Sequence, residues 1–153
     1  MRSLVAIAVA ASAALVLTGS SPGGPAQAEA IAFLRLDGVA FRPELAMTPD
    51  SRGTGLMHRR KAPADGMLFV FRNDTTGAFW MRNTLVPLRI VFFSSKGIRV
   101  RQLVMTPCRS ESCPLYSPGR RYRYALELRA SDKRPAATLG PLAKIEQLSR
   151  RAS

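Results

Sequence analysis

The sequence predicts a mainly β fold: a small, compact, barrel-like domain of short antiparallel strands and hairpins with one or two short helices. Three observations predict it. Short apolar runs are separated by turn clusters at Asp37-Gly38, Asn73 to Gly77 and Ser95-Lys96-Gly97. Arg121 to Arg129 alternates with a period of two. No long segment carries helical periodicity and none repeats, which leaves a barrel or sandwich. A chain of 153 residues, less a leader, has room for one core.

The leader comes first. Met1-Arg2-Ser3 is positive, Leu4 to Leu17 is apolar, Pro22 to Pro25 breaks the run, and Ala26-Gln27-Ala28 offers small residues to a signal peptidase. Residues 1–28 are therefore expected to be cleaved before Glu29, leaving 29–153 as a single secreted, extracytoplasmic domain of the cell envelope with no transmembrane segment. The alternative is an uncleaved N-terminal anchor, although the apolar run is shorter than the roughly 20 residues of a span. Ser20 stands where a lipoprotein would need cysteine, which argues against lipidation.

Ile31 to Leu36, the Asp37-Gly38 turn and Val39 to Met47 read as a hairpin, with Pro43 pushing the return strand to an edge. Thr48-Pro49-Asp50 is a helix start running toward Met57. Met67 to Phe71 and Phe79 to Met81, separated by Asn73 to Gly77, read as a second hairpin. Leu88 to Phe93 and Ile98 to Met105 read as a third, with Leu88, Ile90 and Phe92 on one face and Arg89, Val91 and Phe93 on the other. In Arg121 to Arg129 the pattern puts Tyr122, Tyr124, Leu126 and Leu128 inward and Arg121, Arg123, Glu127 and Arg129 outward. Ser131 is read as the cap of a short helix ending at Gly140-Pro141, and Leu142 to Leu148 fits either a strand or a helix.

Lys and Arg number 23 against 10 Asp and Glu, a net charge of +13, or +12 once Arg2 leaves with the leader. Such a chain is drawn to polyanions. Outside the cytosol these are anionic wall polymers, acidic polysaccharide and phospholipid headgroups, so nucleic acid is disfavoured as a partner. Scattered arginines that merely solvate a surface explain the charge equally well. Cys108 and Cys113 are the only cysteines, and in an exported chain they are expected to form a disulfide. Closing that short loop stabilises by about 2 kcal/mol in the chain-entropy model. A redox dithiol is disfavoured, since catalytic pairs sit two residues apart at a helix start.

Gly55-Leu56-Met57, Gly66-Met67-Leu68-Phe69-Val70-Phe71, Phe79-Trp80-Met81-Arg82-Asn83-Thr84, Pro87-Leu88, Cys108, Cys113-Pro114, Tyr116-Ser117-Pro118-Gly119 and Leu126-Glu127-Leu128 occur in this order. In these motifs, from about Val39 to Gly140, the chain resembles the domain of unknown function 192 family. The resemblance implies a small, predominantly β domain, often exported, with no established activity. Two positions depart from the family pattern: Arg89 stands where an acidic residue is usual, and the Gly-Asp pair that commonly follows the last glycine is absent, the chain reading Gly140-Pro141-Leu142-Ala143-Lys144.

Acid–base or nucleophilic catalysis needs a paired titratable group. His58 is the only histidine and lies among Arg59, Arg60 and Lys61, while Asp65, Asp74, Glu111 and Glu127 are scattered. No catalytic residue, metal or cofactor is expected. Met47, Met57, His58, Met67, Met81 and Met105 could be weighed as soft ligands for exported copper, but the methionines read as core fillers in preference. Trp80 and Met81 are adjacent in a strand, so one fills the core and the other lies in a surface groove. Asn83 and Thr84 suit a strand break before Pro87, or else they line a cleft. The expected activity is that of a non-enzymatic, monomeric envelope module binding an anionic polymer or a protein partner. Its candidate binding residues are Trp80, Arg82, Asn83, Thr84, Arg99, Arg101, Arg121 and Arg123. The alternative is an enzyme acting on envelope polysaccharide between Trp80, Asn83, Glu127 and the disulfide loop.

Overall fold

The computed structural model describes residues 33–153, so the expected leader and its cleavage site lie outside the described residues. In chain order the elements are β1 (Leu34–Leu36), β2 (Val39–Phe41), β3 (Glu44–Ala46), α1 (Pro49–Thr54), β4 (Met67–Thr75) and β5 (Phe79–Trp80). They continue as β6 (Leu88–Phe93), β7 (Arg99–Met105), β8 (Leu115–Tyr116), β9 (Tyr122–Arg129), β10 (Leu139–Gly140) and α2 (Leu142–Arg151).

Local signals act where they were expected to. Asp37 and Gly38 have φ of +47° and +80°, the backbone of a two-residue hairpin turn, and β1 pairs antiparallel with β2. Thr48 caps α1 by accepting from the Ser51 N–H, and the Ser51 hydroxyl accepts from the Thr48 N–H in return. The helix stops at Gly55, short of Met57. The Ser95-Lys96-Gly97 turn joins β6 to β7, and the two strands pair from Leu88 opposite Met105 onward.

Long-range pairing departs from the linear reading in four places. Val39 to Met47 is two strands: Pro43, which has no N–H to continue a ladder, ends the hairpin, and β3 pairs in parallel with β4 at the edge of a different sheet. The second hairpin does not form. β4 runs on through Asn73 to Thr75, absorbing the turn cluster in a register shift between Val70 and Thr75, and pairs with β9, a far longer partner than the two-residue β5. β5 pairs instead with β8. Ser131 starts no helix; β10 pairs with β1, and α2 follows from Pro141.

The main sheet has the order β3-β4-β9-β6-β7, with β10-β1-β2 and β5-β8 as separate smaller sheets. It does not close into a barrel. One core, on the side of β1, β2 and α2, holds Leu68, Val70, Val91, Phe93, Tyr124, Leu126, Ile145 and Leu148. The other holds Leu56, Met67, Phe69, Met81, Leu88, Ile90, Phe92 and Met105. The two faces of β6 thus divide as its alternation predicts.

β9 is the correction with the widest effect. It lies between β4 and β6 in a sheet covered on both sides, so its polar face is partly closed off: Arg129 is exposed as expected and Arg123 half-buried, but Glu127 is buried. Ala125 and Glu127 are buried with the residues that were expected to face inward, and Tyr122 crosses to the second core beside Phe92, ring centroids 4.9 Å apart.

Acidic side chains pin the connections. Asp37 accepts from the Ala137 and Thr138 N–H groups, tying the hairpin turn to the segment before β10. Asp132 and Asp65 both pair with Arg134, at 2.7 Å each. Burial pushes each of these three carboxyls up, but hydrogen bonds and the nearby guanidinium groups outweigh it and hold all three below the ordinary aspartate value. A depressed folded-state pKa adds stability above the unfolded value, 3.8, which is lost as pH falls through the folded value. Melting temperature is therefore expected to drop between pH 5 and pH 2.5, and Asp132→Asn to flatten that drop. A wild-type melting curve independent of pH over this window would contradict the assignment.

Candidate functional site

The Phe79 to Thr84 segment crosses from core to surface within four residues. Phe79 packs edge-on against Phe69, centroids 4.9 Å apart, and Met81 is fully buried. Trp80 between them is turned outward and 45% exposed. This is the division that the strand alternation implied. In the β5–β8 ladder Trp80 stands opposite Leu115, which is 69% exposed. The Arg82 guanidinium lies over the Trp80 ring, 5.7 Å from its centroid. An exposed indole, an exposed leucine and a cation thus form a shelf.

The shelf is braced from beneath. Asn83 adopts a left-handed backbone, φ +54°, its N–H donating to Cys108 O at 3.1 Å and its carbonyl accepting from the His58 N–H at 2.8 Å. Thr84 is buried and its N–H donates to Met81 O. The backbone contacts of Asn83 and Thr84 are those of a strand break. Cys108 N–H donates to Met81 O at 3.3 Å, so the backbone of Cys108 clasps the motif on both sides. The Cys108–Cys113 disulfide is present, Cα atoms 5.9 Å apart, and carries this clasp to the residue pair that precedes β8. Replacing both cysteines by serine is expected to lower stability by about 2 kcal/mol without changing the fold. Urea denaturation of the oxidised protein and the variant reads the difference, and a null shift would mean that the loop is held without the bond.

The four arginines expected to join this region answer to different neighbours. Arg99 is exposed at the start of β7, where its charge acts on Asp37. Arg101 reaches Pro118 O at 3.5 Å. Arg121 is exposed just ahead of β9. Arg123 turns toward α2, its Nε 2.7 Å from the Asp74 carboxylate and its Nη1 3.2 Å from Ser149 Oγ. Sequence reading named Arg123 but missed Arg72, Lys96 and Arg150, which share a cleft with it. Two of these lie in or beside turn clusters and the third in the undecided tail, so no linear pattern joins them.

Arg89, the departure from the family pattern, is buried. Its guanidinium lies 3.6 Å from Asp132 and donates to Arg134 O at 3.0 Å, while its Nε has no partner. Burial lowers its pKa, against the opposing pull of Asp132. The position is part of the ion network of the fold.

Glu127, the carboxylate of the enzyme alternative, lies in the interior. It sits between Met67 and Ile90 in the sheet, 4% exposed, and among the described residues its carboxyl has no hydrogen-bond or ion-pair partner. Desolvation pushes its pKa up to about 8, so at neutral pH it is an uncharged acid inside the second core. No base or nucleophile is bonded to it. Among the described residues no three His, Cys, Asp or Glu side chains gather in a group that could hold a metal ion. Nor is any described helix long and apolar enough to cross a membrane.

The architecture is that of a small mainly β domain: a mixed five-stranded sheet with a core on each face and a disulfide-braced rim. Residues 32–134 match the family of domain of unknown function 192, described as an uncharacterized ACR, and the chain belongs to that family. A solved structure from Sinorhizobium meliloti, a candidate transcription regulator, is similar over 76% of this chain and 97% of its own, with 30% identity and a TM-score of 0.64. A protein of unknown function from Novosphingobium aromaticivorans shares the fold at 23% identity and a TM-score of 0.62, over 80% of this chain and 94% of its own. No curated protein matches the chain.

Proposed function

We propose that this protein is an exported, non-catalytic binding module of the cell envelope, which takes an anionic polymer or a protein partner on the Trp80–Leu115 shelf with Arg82 as its cationic clamp. The observation that carries the reading is the outward Trp80 with exposed Leu115 opposite it and a guanidinium over its ring. A large aromatic face left in water, on a rigid frame, suits stacking against a sugar ring or an apolar partner residue. The disulfide suits an oxidising compartment, and the net charge of +13 favours anionic partners there. The Sinorhizobium neighbour's description makes DNA the competitor to be excluded.

The test is binding of the oxidised protein to teichoic-type polymers, acidic glycans, anionic vesicles and DNA at low and high salt. One envelope ligand is expected to keep its affinity at high salt and to lose about tenfold or more in Trp80→Ala. Equal binding to every polyanion, erased by salt and indifferent to Trp80, would sink the proposal. Turnover of a polysaccharide would replace it with the enzyme reading.

A further inference from the structure

On the far side of the main sheet from the Trp80 shelf, α2 leaves a cleft of about 520 Å3. The two lie on opposite faces, since α2 and Tyr124 pack in the first core whereas Phe79 and Tyr116 pack against the second. The chain brings four cations to the cleft from separate places: Arg72 late in β4, Lys96 in the β6–β7 turn, Arg123 in β9 and Arg150 on α2. Glu146 is the one acidic side chain in its lining.

Arg72, Lys96 and Arg150 are exposed, and none makes an ion pair or side-chain hydrogen bond among the described residues. Four cations against Glu146 and the Asp74 that holds Arg123 leave an excess of positive charge around the concavity, which focuses a positive potential into it. The wall beneath them is built. Arg123 is held by Asp74 and by Ser149, and the buried Ser149 hydroxyl donates to Phe71 O at 2.7 Å. Tyr124 is fully buried behind this wall, next to Ser149. The volume exceeds that of a bare phosphate and falls in the range of small-molecule sites. Glu146 offers an acceptor for a ligand hydroxyl.

We infer that this cleft binds a phosphorylated, hydroxylated unit of the size of glycerol phosphate. The phosphoryl group lies among Arg72, Lys96, Arg123 and Arg150, and the hydroxylated body lies toward Glu146. Guanidinium groups favour phosphate through paired, charge-assisted hydrogen bonds. Such a unit exists free in solution or as a lipid headgroup, and the same chemistry recognises both.

The experiment is titration calorimetry of the full oxidised chain with glycerol 3-phosphate, inorganic phosphate and glycerol at physiological salt. Flotation with phosphatidylglycerol vesicles against neutral vesicles runs beside it. Glycerol 3-phosphate or the phosphatidylglycerol vesicle is expected to bind at least about tenfold more tightly than glycerol or the neutral vesicle. The variant carrying Arg72→Gln, Lys96→Gln and Arg150→Gln, three exposed and unpartnered positions, is expected to melt like the wild type and to bind about tenfold or more weakly. Preference for the soluble compound assigns a free ligand, and preference for the vesicle a headgroup; both uphold the site. Absence of binding in both arms, or binding unchanged in the triple variant, overturns it. Trp80→Ala is expected to leave this binding intact, so the shelf and the cleft fail or stand separately.

Discussion

Gly66→Ala is expected to prevent the protein from folding. Gly66 has φ +72°, a conformation strained for any residue with a side chain. A Cβ built there would lie 2.0 Å from Glu127 O and 2.9 Å from Leu128 Cδ2. The first contact is with backbone, and that backbone belongs to β9, which is bonded to β4 on one side and β6 on the other. β9 cannot yield without opening both ladders. Gly66 cannot withdraw either, because its carbonyl accepts from the Glu44 N–H at 3.1 Å and so starts the β3–β4 pairing. The left-handed backbone alone costs about 1 kcal/mol, and the clash adds several more. Against a typical total stability of roughly 5–15 kcal/mol, that is most of what the fold has. The measurement is the thermal transition by circular dichroism, with Gly53→Ala as the control: Gly53 lies in α1 with open space around its Cβ, and alanine there should be neutral or stabilising. A Gly66→Ala protein melting within a few degrees of the wild type would show that β9 yields.

Glu127→Gln is expected to abolish most of the loss of stability between pH 5 and pH 8. The folded-state pKa of Glu127 is raised to about 8 from an ordinary 4.5. Between those values the folded protein holds a proton that the unfolded chain has released. Stability therefore falls as pH rises through this window and levels off above it. A shift of that size corresponds to on the order of 4 kcal/mol across the window. Glutamine keeps the shape and cannot ionise, so its unfolding midpoint should be nearly flat where the wild type declines. Glu127→Met, of similar volume and wholly apolar, should exceed the wild type at pH 8 because the second core around it contains Met67, Leu88 and Ile90. Urea midpoints at pH 5 and pH 8 decide the matter. An unchanged slope in Glu127→Gln would mean that the carboxyl finds solvent or a partner when it ionises. Together with the aspartates that weaken the fold in acid, Glu127 places maximum stability at mildly acidic pH.

These two positions mark where linear reading ends. Gly66 is visible in the sequence as the glycine that opens a strand, but the carbonyl it must clear lies on a strand sixty residues later. Glu127 occupies an alternate position in the cleanest period-two segment, and alternation alone places it in water. It is buried because a second layer covers that face, and no local pattern reports what will cover a strand. The same reason hid the cleft: Arg72, Lys96 and Arg150 belong to three segments that meet only once β4 has bulged and α2 has docked.

What the sequence determined by itself is what adjacent residues decide among themselves. Asp37-Gly38 and Ser95-Lys96-Gly97 set two turns through backbone conformation, Thr48 caps α1, and Cys108 lies close enough along the chain to meet Cys113. The two faces of β6 follow from its alternation, and the outward Trp80 beside the inward Met81 from strand geometry. Tertiary structure alone decided the parallel seat of β3, the pairing of β4 with β9 and of β5 with β8, and the docking of α2. Each of these joins segments distant in sequence, whose pairing depends on which partner offers the longer ladder and the larger apolar face to bury. That comparison exists only among assembled elements, and it is what made Glu127 an interior acid and Arg123 part of a cleft.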